Sequence, residues 1–379
     1  MRKPDFVDEV YADKDLSLLK KLTLIIPTYN RNYYLSRCLW YHAHFPFGEI
    51  IVADSSPEEK KVVNRETVAK VREMFGANVR YLEYEPETEK YGGDNYRKWG
   101  DAVQHVETEY SQIVTDKEFL IPTTLCKCIQ YLLNHSEYKI ITGEYSSLKC
   151  GTTSDYIFVR ECAKRLSFSI TNPISRYVEA LHLGWNAGLL LSLYDAVTHK
   201  EIYISFLNSD ISDLRFGERY IAFIGYLYGN IGYLPSYEHS VRDVTKVIIK
   251  VESDNSESST LRYPQMTDYD KKSIEYKKMY SACKDCILNQ MTVNNAEIER
   301  DMNSIFVKHI KPIITRNALD HSNQKYDMLR RFNYLVEKYL NIGDDTNALS
   351  KTSEMQIIQD VVTKTLNYHH LDEVISDLR

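Results

Sequence analysis

Leu22-Thr-Leu-Ile-Ile-Pro-Thr-Tyr-Asn-Arg31 opens with a short, β-branched apolar run that Pro27 ends. A run of that kind, without polar alternation, is the pattern of a parallel strand buried on both faces. Helical character follows over 32–44. Glu49-Ile-Ile-Val-Ala53 is a second run of the same type, and it ends in Asp54-Ser-Ser-Pro57. Residues 58–75 are charged, with Val62, Val63, Val68 and Val71 on a rough helical stripe. Val79 to Tyr84 predicts a third strand, Asp94 to Val106 a helix, and Tyr110 to Val114 a fourth strand. Strand and helix alternating at this spacing predict an α/β, doubly wound, mostly parallel sheet flanked by helices.

The remainder of the chain is organised around that unit. Residues 1–20 read as a polar arm and residues 21–250 as the α/β domain. Within the domain, Lys139–Thr142, Tyr156–Arg160 and Ile231–Leu234 predict strands. Ser175 to His199 is expected to be mostly helical, and Phe216 to Tyr228 predicts an aromatic-rich helix. Glu252-Ser-Asp-Asn-Ser-Glu-Ser-Ser-Thr260 is a polar linker. Beyond it, 251–379 predicts an α-helical C-terminal domain, with helices over 268–292, 295–310 and 324–341 and a last one from about Ser353.

Composition narrows the function classes. The chain has 379 residues, 43% hydrophobic and 26% charged, which excludes a disordered or collagen-like protein. A net charge of −6 argues against a dedicated nucleic-acid binder. Seven cysteines, an odd number, fit a reduced, cytoplasmic chain. Met1 to Asp15 is charged and has no secretory-type apolar core. No apolar run approaches the roughly 20 residues needed to span a bilayer. Thirty tyrosines stand against 12 phenylalanines and 3 tryptophans. Tyrosine suits sugar or base stacking, although compositional drift explains the count equally well.

Ligands of doubly wound sheets bind beyond the carboxyl ends of the strands. Three segments occupy that place. In Pro27-Thr28-Tyr29-Asn30-Arg31, Thr28 and Asn30 can bond a ribose or base and Tyr29 can stack. Asp54 can accept from a ribose hydroxyl or a base N–H, or it can serve as a turn residue. In Asp116-Lys117-Glu118, an extended backbone would point both carboxylates the same way, toward a hard divalent cation. An exposed turn is the other reading. Gly92-Gly93 lacks a complete phosphate-loop pattern and reads as a turn. Cys283-Lys-Asp-Cys286 has zinc-like spacing but no second pair near it, so it reads as two packing thiols.

Together these residues resemble the family 2 glycosyltransferases of the GT-A fold. Leu24 to Arg31 is similar to that family's first strand and loop, and Glu49 to Ser56 to its second strand, whose aspartate contacts the nucleotide. Tyr96-Arg-Lys-Trp-Gly-Asp-Ala102 resembles its Ala-Arg-Asn-x-Gly helix, with Lys98 in place of Asn. Asp116-Lys-Glu118 stands at its Asp-x-Asp metal motif. The resemblance covers about 21–125 well, 200–245 more weakly, and leaves out the C-terminal third.

It implies an inverting transfer from a nucleotide-diphosphate sugar, UDP-type first, to a glycan or lipid-linked acceptor in bacterial surface polysaccharide synthesis. Mn²⁺ or Mg²⁺ would be held by Asp116 and Glu118, with His239 completing the site. Arg242, or Arg97 and Lys98 from the other side, would meet the diphosphate. Ser212-Asp213-Leu214 matches the segment carrying the family's base, so Asp213 is the candidate base and Asp210 the second. Either could instead cap the following helix. Trp185 is a candidate acceptor-stacking residue. The C-terminal helices are expected to serve dimerisation, partner docking or membrane approach. Lys271, Lys272, Lys277, Lys278 and Lys284 form a basic face that suits anionic lipid or plain solvation. A sugar nucleotidyltransferase and a non-catalytic nucleotide-binding scaffold remain as alternatives.

Overall fold

The computed structural model describes residues 10–86, 93–150, 156–160, 187–243 and 269–290, with 296, 300, 302–304, 353–354 and 356–358. The chain divides into two compact units, one of residues 1–253 and 353–379 and one of residues 254–352.

The first unit is the expected α/β sheet. Its strands are β1 (Leu22–Thr28), β2 (Glu49–Asp54), β3 (Val79–Glu83), β4 (Tyr110–Ile113), β5 (Glu118–Leu120), β6 (Tyr138–Cys150), β7 (Tyr156–Arg160), β8 (Leu193–Asp195) and β9 (Asn230–Asp243). They pair in the order β3-β2-β1-β4-β8-β6-β9-β5, with β7 on β6. The pairs β3–β2, β2–β1, β1–β4 and β6–β9 are parallel, whereas β8 runs antiparallel to both its neighbours. The helices are α1 (Asn32–His42), α2 (Glu58–Phe75), α3 (Gly93–Gln104), α4 (Pro122–Asn134), α5 (Ala196–Leu207) and α6 (Leu214–Tyr228).

Every residue of β1 and β2 is buried, because helices cover both faces. Leu24, Ile26, Ile50 and Val52 join one core cluster with Leu35, Cys38 and Leu39 of α1 and Val68 and Val71 of α2. Ile25 and Ile51, one residue out of phase, are equally buried but lie outside that cluster. Alternate side chains of a strand point to opposite faces, so the continuous apolar run has a use on each side. On that other side α3 packs against β1, β2, α5 and α6. Each fully buried aliphatic side chain contributes about 1.5–3 kcal/mol.

Several elements differ from expectation: β5 and α4 had no counterpart in the sequence reading, and β6 runs on past Thr142 to Cys150. Ser175–His199 was expected to be mostly helical. Among its described residues Ala187–Leu191 is a short 3-10 turn, and Leu193–Asp195 is the strand β8 between β4 and β6. The apolar run there serves a sheet position, where Leu193 and Tyr194 are buried, and the α-helix starts only at Ala196 behind an Asp195 cap. The strand expected over Ile231–Leu234 runs on to Asp243, and its second half pairs with β5.

Ser353–Ile358 also belongs to the first unit. Ile357 and Ile358 are buried in the cluster that holds Tyr11 and Leu19, and Thr123 Oγ1 donates to Glu354 at 2.7 Å. In the second unit, α7 (Tyr269–Gln290) buries Met279, Cys283, Cys286 and Ile287. That spacing is one helical stripe. Cys283 and Cys286 are packing residues, and burial raises both thiol pKa values, that of Cys286 to about 11. The proposed helices over 324–341 and most of 295–310 lie outside the described residues. Among the described residues, no helix is long and apolar enough to cross a membrane.

Candidate functional site

Parallel pairing brings the carboxyl ends of β1, β2 and β4 to one edge, with Thr28 opposite Asp54 and Ile25 opposite Ile113. The loop after β1 turns at Asn30, whose φ of 53° lies in the left-handed region. Asparagine tolerates that region better than most residues. Asn30 N donates to Ser56 Oγ at 2.8 Å, so the backbone of the first loop is tied to a side chain of the second. Asp54 is fully buried. Its Oδ1 accepts from Ser56 N at 2.7 Å, and its Oδ2 accepts from Asn64 Nδ2 at 2.7 Å and from the Tyr81 hydroxyl. Expected as a nucleotide contact, this carboxylate shapes the loop and holds Ser56 in place. Burial, then the bond to Asp54, raises the Tyr81 pKa and keeps it a donor.

Asp116 and Lys117 form a turn, and Glu118 begins β5. The extended backbone that would align both carboxylates is absent. Asp116, 2% exposed, accepts from Thr28 Oγ1 at 3.3 Å and from Arg31 Nη1 at 3.2 Å. Glu118 Oε2 accepts from Thr115 N at 3.1 Å, which closes the turn. Its Oε1 takes two donors of Arg242, with Nε at 2.8 Å. His239 is buried elsewhere. Gln112 Nε2 donates to its Nε2 at 2.7 Å, and its Nδ1 faces Cys128 Sγ at 3.8 Å. The residues expected to hold Mn²⁺ or Mg²⁺ therefore do not form one ligand set. Glu118 serves Arg242, His239 serves the core, and Asp116 serves Arg31. Among the described residues, no three His, Cys, Asp or Glu side chains are grouped as a metal site.

The turn is gripped from a third side. Asp243 N donates to Lys117 O at 2.8 Å, and the Asp243 carboxylate pairs with the fully buried Arg37 of α1. Burial opposes the Arg37 charge, but Asp243 together with Tyr33 and Tyr34 more than offsets it, and the pKa is raised. Lys117 Nζ lies 4.4 Å from the Tyr34 ring centroid. Burial first, then Arg31 close by, lower its pKa.

Helix α3 joins two halves of the site through consecutive residues. Lys98, 3% exposed, donates to Thr28 O at 3.0 Å and to Ser55 Oγ at 2.8 Å, clasping the ends of β1 and β2. Arg97 was expected to meet a diphosphate. Its guanidinium instead donates to Leu207 O at 2.8 Å, Ser209 O at 2.6 Å and Ile211 O at 3.4 Å. These carbonyls belong to the end of α5 and to the loop that carries Asp210 and Asp213. Asp213 caps α6, its Oδ1 accepting from Phe216 N at 3.0 Å, while Asp210 is exposed. Trp185 lies outside the described residues.

The sequence matches no protein-family profile and no curated protein. Solved structures do match. The chain is similar in fold to S. aureus TarS. The likeness to TarS 1–349 has a TM-score of 0.50 at 14% identity, over 93% of this chain and 89% of that one. A longer TarS chain gives a TM-score of 0.48 at 16% identity over 76% of this chain, which spans 43% of its length. TarS 1–349 in complex with UDP-GlcNAc gives a TM-score of 0.48 at 14% identity over 93% of this chain and 89% of that one. At such identity the likeness to TarS concerns the fold alone, and residue roles rest on the geometry above.

Proposed function

We propose that this chain is an inverting glycosyltransferase. It moves a sugar from a UDP-type nucleotide-diphosphate sugar to a hydroxyl of a glycan or lipid-linked acceptor in the synthesis of a bacterial surface polysaccharide. The observation that carries the reading is the double grip of α3. One helix ties the strand-end loops, through Lys98, to the loop of the candidate base, through Arg97. A two-substrate displacement needs a donor cradle and a proton acceptor held at fixed separation. The fold shared with TarS is consistent with it.

In this reading the loop Pro27–Arg31 receives the nucleoside, with Asp54 and Ser56 holding its shape. The acceptor hydroxyl oxygen bonds to the anomeric carbon as the bond from that carbon to the diphosphate oxygen breaks. The hydroxyl proton passes to the Asp213 carboxylate, whose orientation the α6 cap fixes, and the nucleoside diphosphate leaves. Asp210 is the second candidate for the base. The expected Mn²⁺ or Mg²⁺ lacks a ligand set among the described residues. The site would act at the cytoplasmic face of the membrane, with the C-terminal helices as a docking or dimer element.

Release of free UDP from a panel of UDP-sugars, with and without candidate acceptors, tests the proposal. Turnover is expected for at least one donor. Asp213→Asn should lower kcat by about 10²–10⁴-fold while UDP still binds. Loss of turnover in Asp210→Asn alone would move the base to Asp210. A second reading, a non-catalytic nucleotide-binding scaffold, is favoured by the capping role of Asp213. UDP binding without turnover of any donor would establish it.

A further inference from the structure

The strand-end cluster contains more cations than carboxylates. Arg31, Arg37, Lys98, Lys117 and Arg242 stand there with Asp116, Glu118 and Asp243. Asp54 is a fourth carboxylate, already accepting from Ser56, Asn64 and Tyr81. The two carboxylates that would recruit a divalent cation are instead each held by an arginine. Arg31 and Arg242 are the outer members of the cluster, with side chains 38% and 43% exposed, over carboxylates that are 3% and 1% exposed. A guanidinium has five N–H donors in a planar fork. A carboxylate orients each fork, and the exposed part of each side chain is where a further anion can approach. Diphosphate oxygens suit such paired, pre-oriented forks.

We infer that Arg31 and Arg242, oriented by Asp116 and Glu118, take the place of a divalent cation and bind the diphosphate of a nucleoside diphosphate at this edge. The inference rests on the reading of the site as a nucleotide-sugar site and departs from the metal that the Asp-Lys-Glu motif suggested. The role of the carboxylates is thereby inverted. They hold arginines rather than a metal, and the positive charge that neutralises the leaving diphosphate is built into the chain.

Isothermal titration of the full chain with UDP, in excess EDTA and again in saturating MnCl₂, tests it. Equal affinity under the two conditions, within about twofold, supports it. Binding that needs Mn²⁺, or that tightens tenfold or more with it, overturns it while leaving the glycosyltransferase reading intact. Binding under neither condition removes both. Arg31→Gln provides the second test, since Arg31 is half exposed and its loss leaves Thr28 on Asp116. With folding verified by circular dichroism, its UDP affinity in EDTA should fall at least tenfold, and Arg31→Lys should recover part of it. Unchanged affinity in Arg31→Gln overturns the assignment.

Discussion

Arg97 and Lys98 are neighbours in sequence, yet they serve different parts of the site. Consecutive helical residues project about 100° apart, so one turn of α3 can hold both the strand-end loops and the loop of Asp213. The prediction at this scale is a split in kinetics. Arg97→Gln leaves the carbonyls of Leu207, Ser209 and Ile211 without their shared donor and loosens the loop of Asp213. It should lower kcat about tenfold or more with little change in donor KM, and Arg97→Lys should restore part of it. Lys98→Met acts on Thr28 and Ser55 and should raise donor KM instead. Steady-state kinetics on the four proteins checks both; equal effects on kcat and KM in the two variants would refute the division.

At the scale of elements, buried histidines couple helices to the sheet. His42 of α1 donates from Nδ1 to Cys38 O at 2.8 Å and accepts from Leu120 N of β5 at 3.3 Å. His199 of α5 meets Ser111 of β4 at 2.7 Å and stacks on Tyr194 of β8. Burial lowers their pKa values to about 4 and about 3. The unfolded chain takes up these protons near pH 6.5, and the folded chain only well below it. Stability is therefore fully present above pH 6.5 and is lost as pH falls toward 4 and then 3, by about 3 kcal/mol or more per histidine. Thermal melts from pH 7.5 to 4 should show a falling midpoint, and His42→Gln should flatten that slope. A midpoint independent of pH would contradict the burial of both rings.

The elements also show what sequence could carry. The strands β1 and β2 were readable because burial on both faces demands near-continuous apolar runs, and β3 and β4, which are less apolar, because they follow at the same spacing. Position at the strand ends was readable for Thr28, Asp54 and Asp116 because topology alone places them. The state of Asp116-Lys-Glu118 was not. Turned or extended backbone there depends on Thr115 N reaching Glu118, and on Arg242 and Asp243, which are distant in sequence. The capping role of Asp213 was written in its place before Leu214, as one of two readings. The carbonyl partners of Arg97 left no mark in sequence, because any residue type offers a carbonyl. Likewise Leu193–Asp195 reads as helix until β4 and β6 are known to flank it.

For the whole molecule, the division into residues 1–253 with 353–379 and residues 254–352 makes the first unit discontinuous in sequence. Ile357 and Ile358 are 3% and 0% exposed and share a cluster with Tyr11, Leu19 and Leu22. Truncating Ile358 to Ala should cost about 2–5 kcal/mol, which chemical denaturation would measure. The same change at exposed Ile274 of α7 should cost little. Equal costs at the two sites would refute the placement of the C-terminal segment.

That placement has a consequence for biosynthesis. A ribosome delivers β1, β2 and their helices early, but the core they build stays open on one side until residues 357 and 358 emerge. At about 5–20 residues per second the nascent chain would wait several seconds with apolar surface uncovered while the intervening unit is made. Chaperones that cover such surface would meet this protein at that stage, before its first unit is closed.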